Sequence, residues 1–93
     1  MYDPDMALSL VKQRLDRLPD DTSLDAYLSA RIEAAANELE RQGIHLTYDT
    51  DDVVLLVDYT VYQYGARDNS GGMPEWLRYR IRCRWLSEGR DTE

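Results

Sequence analysis

The chain contains no phenylalanine, one cysteine (Cys83), one histidine (His45) and three prolines in 93 residues. A single cysteine excludes an internal disulfide. With only one histidine beside it, the usual zinc-ligand sets are also excluded. No uninterrupted apolar run approaches the ~18 residues of a membrane-spanning helix. Asp3 and Asp5 stand where a secretion signal carries positive charge, so the expectation is a cytoplasmic place of synthesis. Positive charge is scarce as well. Residues 1–73 hold six basic against fourteen acidic side chains, a net −8, and the whole chain carries −7. A body this acidic repels nucleic acid in general.

What is present is concentrated in a few segments of one small domain, residues 1–93. The longest apolar stretch is 51–66. At ~100° per residue, Val53, Val57, Val61 and Tyr64 share a helical face flanked by Leu56 and Thr60, while Leu55, Tyr59, Tyr62 and Ala66 form a second apolar row opposite. Only a narrow line through Asp51, Asp58 and Gly65 stays polar, with Gln63 alone on the other flank. Val, Thr and Tyr also suit a strand, but the run is about twice the usual strand length of ~5–6 residues. It opens with Thr50-Asp51-Asp52, a capping hydroxyl and acids suited to a helix N-terminus. A helix apolar on both sides is wrapped by neighbours, its own or another subunit's. At this chain length the buried fraction of surface is modest, so association of copies is the expected extra source of burial.

Two further helices are predicted upstream. The first runs from about Met6 to Leu18, capped by Asp5, with Leu8, Val11, Leu15 and Leu18 on one face and Pro19-Asp20-Asp21 as its stop. In the second, Thr22 and Asp25 have capping-box spacing, with Ser23 as an alternative cap. Leu24, Leu28, Ile32, Ala35 and Leu39 then form its stripe with Tyr27 beside it, and Gly43 suits a left-handed C-terminal cap. The Ala34-Ala35-Ala36 run lets another helix approach closely. Residues 44–48 alternate as a connector with room for a short strand, and His45 reads as an ordinary, partly exposed side chain. A polar, flexible loop is expected at 67–73 and a frayed tail at 88–93.

The last element, 75–86, carries two signals. Leu77, Tyr79, Ile81, Cys83 and Trp85 alternate with Arg78, Arg80, Arg82 and Arg84 at a strand's period of two. As a helix the segment has one stripe of Leu77, Ile81 and Trp85, another of Trp76, Tyr79, Cys83 and Leu86, and arginine rows 78/82 and 80/84. Pro74-Glu75 as an opening and the scarcity of β-branched residues favour the helix. The fold expected is therefore mainly α, a small bundle of about four helices.

No catalytic constellation is legible: Cys83 and His45 lack supporting motifs. Gly71-Gly72 is not followed by the Lys-Ser/Thr of a phosphate loop, and Asp49, Asp51 and Asp52 lack the spacing and terminal Glu of a calcium loop. The expectation is a non-enzyme without cofactor. The arginines, with Trp76 and Trp85, read either as a docking surface for phosphate or an acidic protein surface, or as partners for the chain's own acids.

The order of these segments resembles the head–tail connector (adaptor) proteins of tailed bacteriophages and prophages, over roughly residues 7–86. The features are Val11-Lys12 and Leu15 in the leading helix and an Asp-rich break. Leu24-Asp25-Ala26-Tyr27-Leu28 follows, with Ala30, Ile32 and Ala35 after it. The helix Asp58-Tyr59-Thr60-Val61-Tyr62-Gln63-Tyr64, the Gly-Gly-Met73-Pro74 loop and the closing Leu77…Ile81…Trp85-Leu86 complete the set. The arginine alternation is denser than the family pattern, which leaves the last element's conformation open. The resemblance implies a homo-oligomeric ring, commonly of twelve, beneath the portal protein in the virion. It would join capsid to the next head-completion or tail protein, with DNA passing through the lumen without sequence-specific binding and no membrane involved. The arginine/tryptophan segment is then the candidate for docking, and Leu28, Ile32, Leu39, Val53, Val57, Tyr59, Val61, Tyr62 and Tyr64 serve core or subunit packing. The alternative is a small acidic regulatory protein that engages a protein or RNA partner through the same segment.

Overall fold

The computed structural model describes residues 1–66 and 72–88. Four helices follow in order: α1 (Pro4–Arg14), α2 (Asp25–Arg41), α3 (Thr50–Ala66) and α4 (Glu75–Leu86). Among the described residues there is no strand, so 44–48 and 75–86 do not adopt the extended alternative. Of the expected loop at 67–73 and tail at 88–93, residues 67–71 and 89–93 lie outside the described residues.

α1 starts and stops earlier than its apolar spacing predicts. Asp3, not Asp5, caps it: its carboxylate accepts from the N–H groups of Asp5 and Met6, and Pro4 takes the first helical position, where its missing N–H costs nothing. At the other end Asp16 sits at φ 60°. The Arg17 N–H donates to Lys12 O (2.8 Å) and the Asp16 N–H to Gln13 O (3.1 Å), the paired closure of a helix whose next residue is left-handed. That turn throws Leu18 outward to 68% exposure, so Leu18 leaves the buried face on which its spacing had placed it. Pro19 and the acids beyond it come too late to be the stop. α2 closes in the same way at Gly43 (φ 98°), with Ile44 N–H on Leu39 O (3.0 Å).

The predicted capping box at the start of α2 does not form. Ser23 gives its N–H and hydroxyl to Asp21, and Lys12 of α1 takes the Asp25 carboxylate at 3.0 Å. The Lys12 ammonium, buried at 5% exposure, also donates to Pro19 O (3.0 Å) and so ties α1, its connector and α2 together. The start of α3 is likewise reassigned. Val53 N–H bonds Asp49 O, and the Asp52 carboxylate reaches back to the Thr47 N–H (2.9 Å) and hydroxyl (2.8 Å); the Thr50 hydroxyl is not the cap.

α3 is the centre of the fold. α1 and α2 pack against it and against each other, whereas α4 packs on α3 alone. Val53, Leu56, Val57 and Thr60 are buried, and so are Leu55 and Tyr59 of the second row. The Thr60 hydroxyl bonds Leu56 O (2.8 Å), which lets it lie in the core. Leu28, Ile32, Ala35, Ala36 and Leu39 of α2, Ala7 and Val11 of α1, and Ile44 and Leu46 of the connector complete the cluster. Val61, Tyr62 and Tyr64 are half-buried, with Tyr64 edge-on to Tyr27 at 6.2 Å between ring centroids.

From Asp52 to Thr60 every residue except the half-buried Val54 is buried within this chain, so its own helices wrap this part of the central helix.

The two left-handed residues make a paired test. Asp16→Gly removes the Cβ penalty at φ 60° and should raise the unfolding free energy by about 0.5–1 kcal/mol, while Gly43→Ala should lower it by about 1 kcal/mol. Urea unfolding of both variants checks this, and a loss of stability in Asp16→Gly would contradict the closure described.

Candidate protein-docking face on α4

The arginine alternation resolves once the segment is wound at 3.6 residues per turn. Leu77 and Ile81, four apart, are the buried residues of α4. Beside them Arg80 and Arg84 turn inward. Each meets a carboxylate of the antiparallel α3: Arg80 bonds Asp58, and Arg84 bonds Asp52 (Nε to Oδ1, 2.8 Å). Asp58 also takes Arg14 from α1 on its other oxygen, so one carboxylate joins three helices. This is why Asp58, on the polar line of α3, is only 7% exposed.

Arg84 is the most heavily engaged cation. Beyond Asp52 it donates to Glu88 Oε2 (2.8 Å) and His45 O (2.7 Å). Glu88 in turn accepts from the His45 N–H (2.8 Å), so the expected fraying of the tail does not begin at Glu88. The His45 ring is exposed, with Nδ1 3.4 Å from the same carboxylate. The His45 N–H, and then its ring and Arg84, pull the Glu88 carboxyl from 4.5 down to about 2. At Asp52 burial works upward, but hydrogen bonds from Arg84 and Thr47 outweigh it and hold the carboxyl below its ordinary 3.8.

The remaining residues of α4 face outward. Trp76 (51% exposed), Tyr79 (68%), Cys83 and Leu86 (37%) form one exposed stripe. Arg78 and Arg82 line one of its edges, with Trp85 beyond them. Among the described residues Arg78 has a long contact to Met73 O (3.4 Å) and no ion pair, and Arg82 likewise takes part in no ion pair there. The neighbouring Cys83 side chain raises the pKa of the Tyr79 phenol. On the opposite flank a shallow groove of about 310 Å³ separates α4 from the start of α3, walled by Asp51, Leu55 and Arg80.

Of the six residues expected at a docking surface, the fold thus turns Trp76, Arg78, Arg82 and Trp85 outward and commits Arg80 and Arg84 to the chain's own acids. Tyr79 and Leu86 join the exposed set. Their signal was the 76/79/83/86 row, which carries no charge and so stood out less than the arginines. The packing residues Leu28, Ile32, Leu39, Val53, Val57 and Tyr59 lie in the core of this chain, while Val61, Tyr62 and Tyr64 stay half-buried. Among the described residues no helix is long and apolar enough to cross a membrane. No protein-family model, curated protein or solved structure matches the chain.

The split between the two arginine rows predicts unequal substitutions. Arg84→Ala strands the Asp52 carboxylate and should cost about 2 kcal/mol, the full buried-pair penalty being reduced because the guanidinium is one-fifth exposed. Arg82→Ala should stay within about 0.5 kcal/mol of the parent. Denaturant midpoints of the two variants decide it, and equal losses would contradict the inward placement of Arg84.

Acid titration gives a second test. Both Asp52 and Glu88 have folded values below their unfolded ones, so their contribution is complete above the unfolded values and is lost as pH falls through the folded ones, which for Glu88 lies at about 2. Unfolding free energy measured across this window should decline, and the decline should be shallower in Glu88→Gln. An unchanged slope in that variant would remove Glu88 from the account.

Proposed function

We propose that this chain is a structural subunit of a phage head–tail junction, a connector that docks beneath a portal protein, assembles there into a ring and joins capsid to tail. The observation that carries the reading is the α4 face. An otherwise acidic domain with a complete core presents one exposed apolar stripe with an arginine edge, the composition of an interface hot spot. The segment order across residues 7–86 supports the choice of partner, through its resemblance to connector proteins.

Assembly in this reading is surface docking of pre-folded subunits rather than mutual shelter of an exposed core. The isolated chain is then a monomer, and the ring forms when α4 meets the portal or the next junction protein. A ring arises from one interface repeated head to tail. The acidic body surrounding the lumen lets DNA pass without adhering. No catalytic role or cofactor is proposed.

The self-sufficient core also favours a second reading, a small acidic regulatory protein that acts as a monomer and engages a protein or RNA partner through the same face.

Native mass measurement of the purified chain, alone and mixed with portal protein from the same genome, separates the two. The connector reading expects a defined portal-bound ring, lost in Trp85→Ala and Arg82→Glu variants that still fold. A chain that stays monomeric beside the portal would overturn it in favour of the second reading.

A further inference from the structure

We infer that the outer face of α4 is the docking site for an amphipathic helix of another protein, with carboxylates along one of its edges. The inference names the partner chemistry of the docking face and rests on that face alone, not on the connector reading. Trp76, Tyr79, Cys83 and Leu86 follow a 3-4-3 spacing, the seam of a two-helix contact, and span about 15 Å of helix. All four are exposed.

The residues beside the seam select the occupant. In a paired helix the flanking positions of this stripe are Glu75 and Arg82 on one edge and Arg80 and Ser87 on the other. Asp58 holds Arg80 within the chain. Arg82, with Arg78 one turn before it, lines the other edge and meets no acid among the described residues.

A second copy of α4 fits poorly on this stripe. A second copy of α4 brings only one acid, Glu75, to this face, too few to answer the Arg78/Arg82 edge of both helices. Arginine beside tryptophan and tyrosine also suits single-stranded nucleic acid, but the net −8 of residues 1–73 opposes a polyanion. A helix contributes a few carboxylates at fixed positions and an apolar seam, so it gains the Arg78/Arg82 edge without meeting the acidic body along its length. Exposed Asp51, across the groove on the far side of α4, disfavours acids on the partner's other edge. The ligand is therefore acidic on one edge only.

Both tryptophans of the chain lie on α4, so their emission reports occupancy directly. The probes are three synthetic capped peptides of about three heptads with a leucine seam, carrying Glu, Gln or Lys along one edge. Titrated into the full chain, the Glu peptide should bind with a blue shift, and the Lys peptide should bind at least about tenfold more weakly. Arg82→Glu should invert that order, and Tyr79→Ser should weaken the Glu peptide at unchanged melting temperature. Equal binding of the Glu and Lys peptides, or binding of none, would overturn the inference. So would displacement of the Glu peptide by single-stranded RNA, or association of the chain with itself through this face in sedimentation. Failure of the connector reading is seen separately, as indifference to portal protein in a chain that still discriminates among the peptides.

Discussion

The fold turns on two aspartates that an apolar helix carries into the interior. Asp52 and Asp58 lie on α3 among Val, Leu, Tyr and Thr, at 5% and 7% exposure. An ionised carboxylate in such surroundings costs several kcal/mol unless it is paired and hydrogen-bonded. The chain meets that requirement with Arg14 from one side and Arg80 and Arg84 from the other. Placement of α4 follows. Its two buried apolar residues, Leu77 and Ile81, supply limited burial, but the arginines beside them have one register that reaches both acids. Thr47, at the end of the connector, takes the remaining capacity of Asp52 and sets where α3 begins.

This division of labour among the arginines separates structure from recognition on a single helix. The 80/84 row is consumed by α3, and the 78/82 row, about 160° around the helix, is left beside a stripe of exposed aromatics. A helix held this way has a fixed inner face and an outer face open to selection for a partner. The charge imbalance acts in the same direction. The acidic body disfavours polyanions, and in the proposed docking the local basic edge steers an acidic protein surface to one place.

The same ionic closure shelters Asp52 and Asp58 of the central helix within one short chain. On the polar line of α3, Asp58 is covered by its pairs with Arg14 and Arg80, whereas Asp51 and Gly65 stay exposed. The half-buried end of α3, from Val61 to Tyr64, is covered less fully, and Tyr27 of α2 meets it edge-on.

Helix type was legible from apolar spacing in the stripe of Leu28, Ile32, Ala35 and Leu39, and from run length and the opening acids at 51–66, whereas the alternation at 75–86 left helix and strand both open. Gly43 announced its own left-handed turn, since glycine is the residue that adopts it freely. The boundary at Arg14 was not legible. Aspartate at φ 60° looks locally like any polar residue, and only the closure by Arg17 and Asp16 reveals it. Nor was the lost cap of α2, because the claim of Lys12 on Asp25 spans two helices. Sequence by itself determined which segments wind into helices and that an apolar–arginine face exists on the last one. Tertiary structure decided which arginines remain free for a partner, because ion pairing depends on which acid comes within reach, and that distance is set by packing rather than by period.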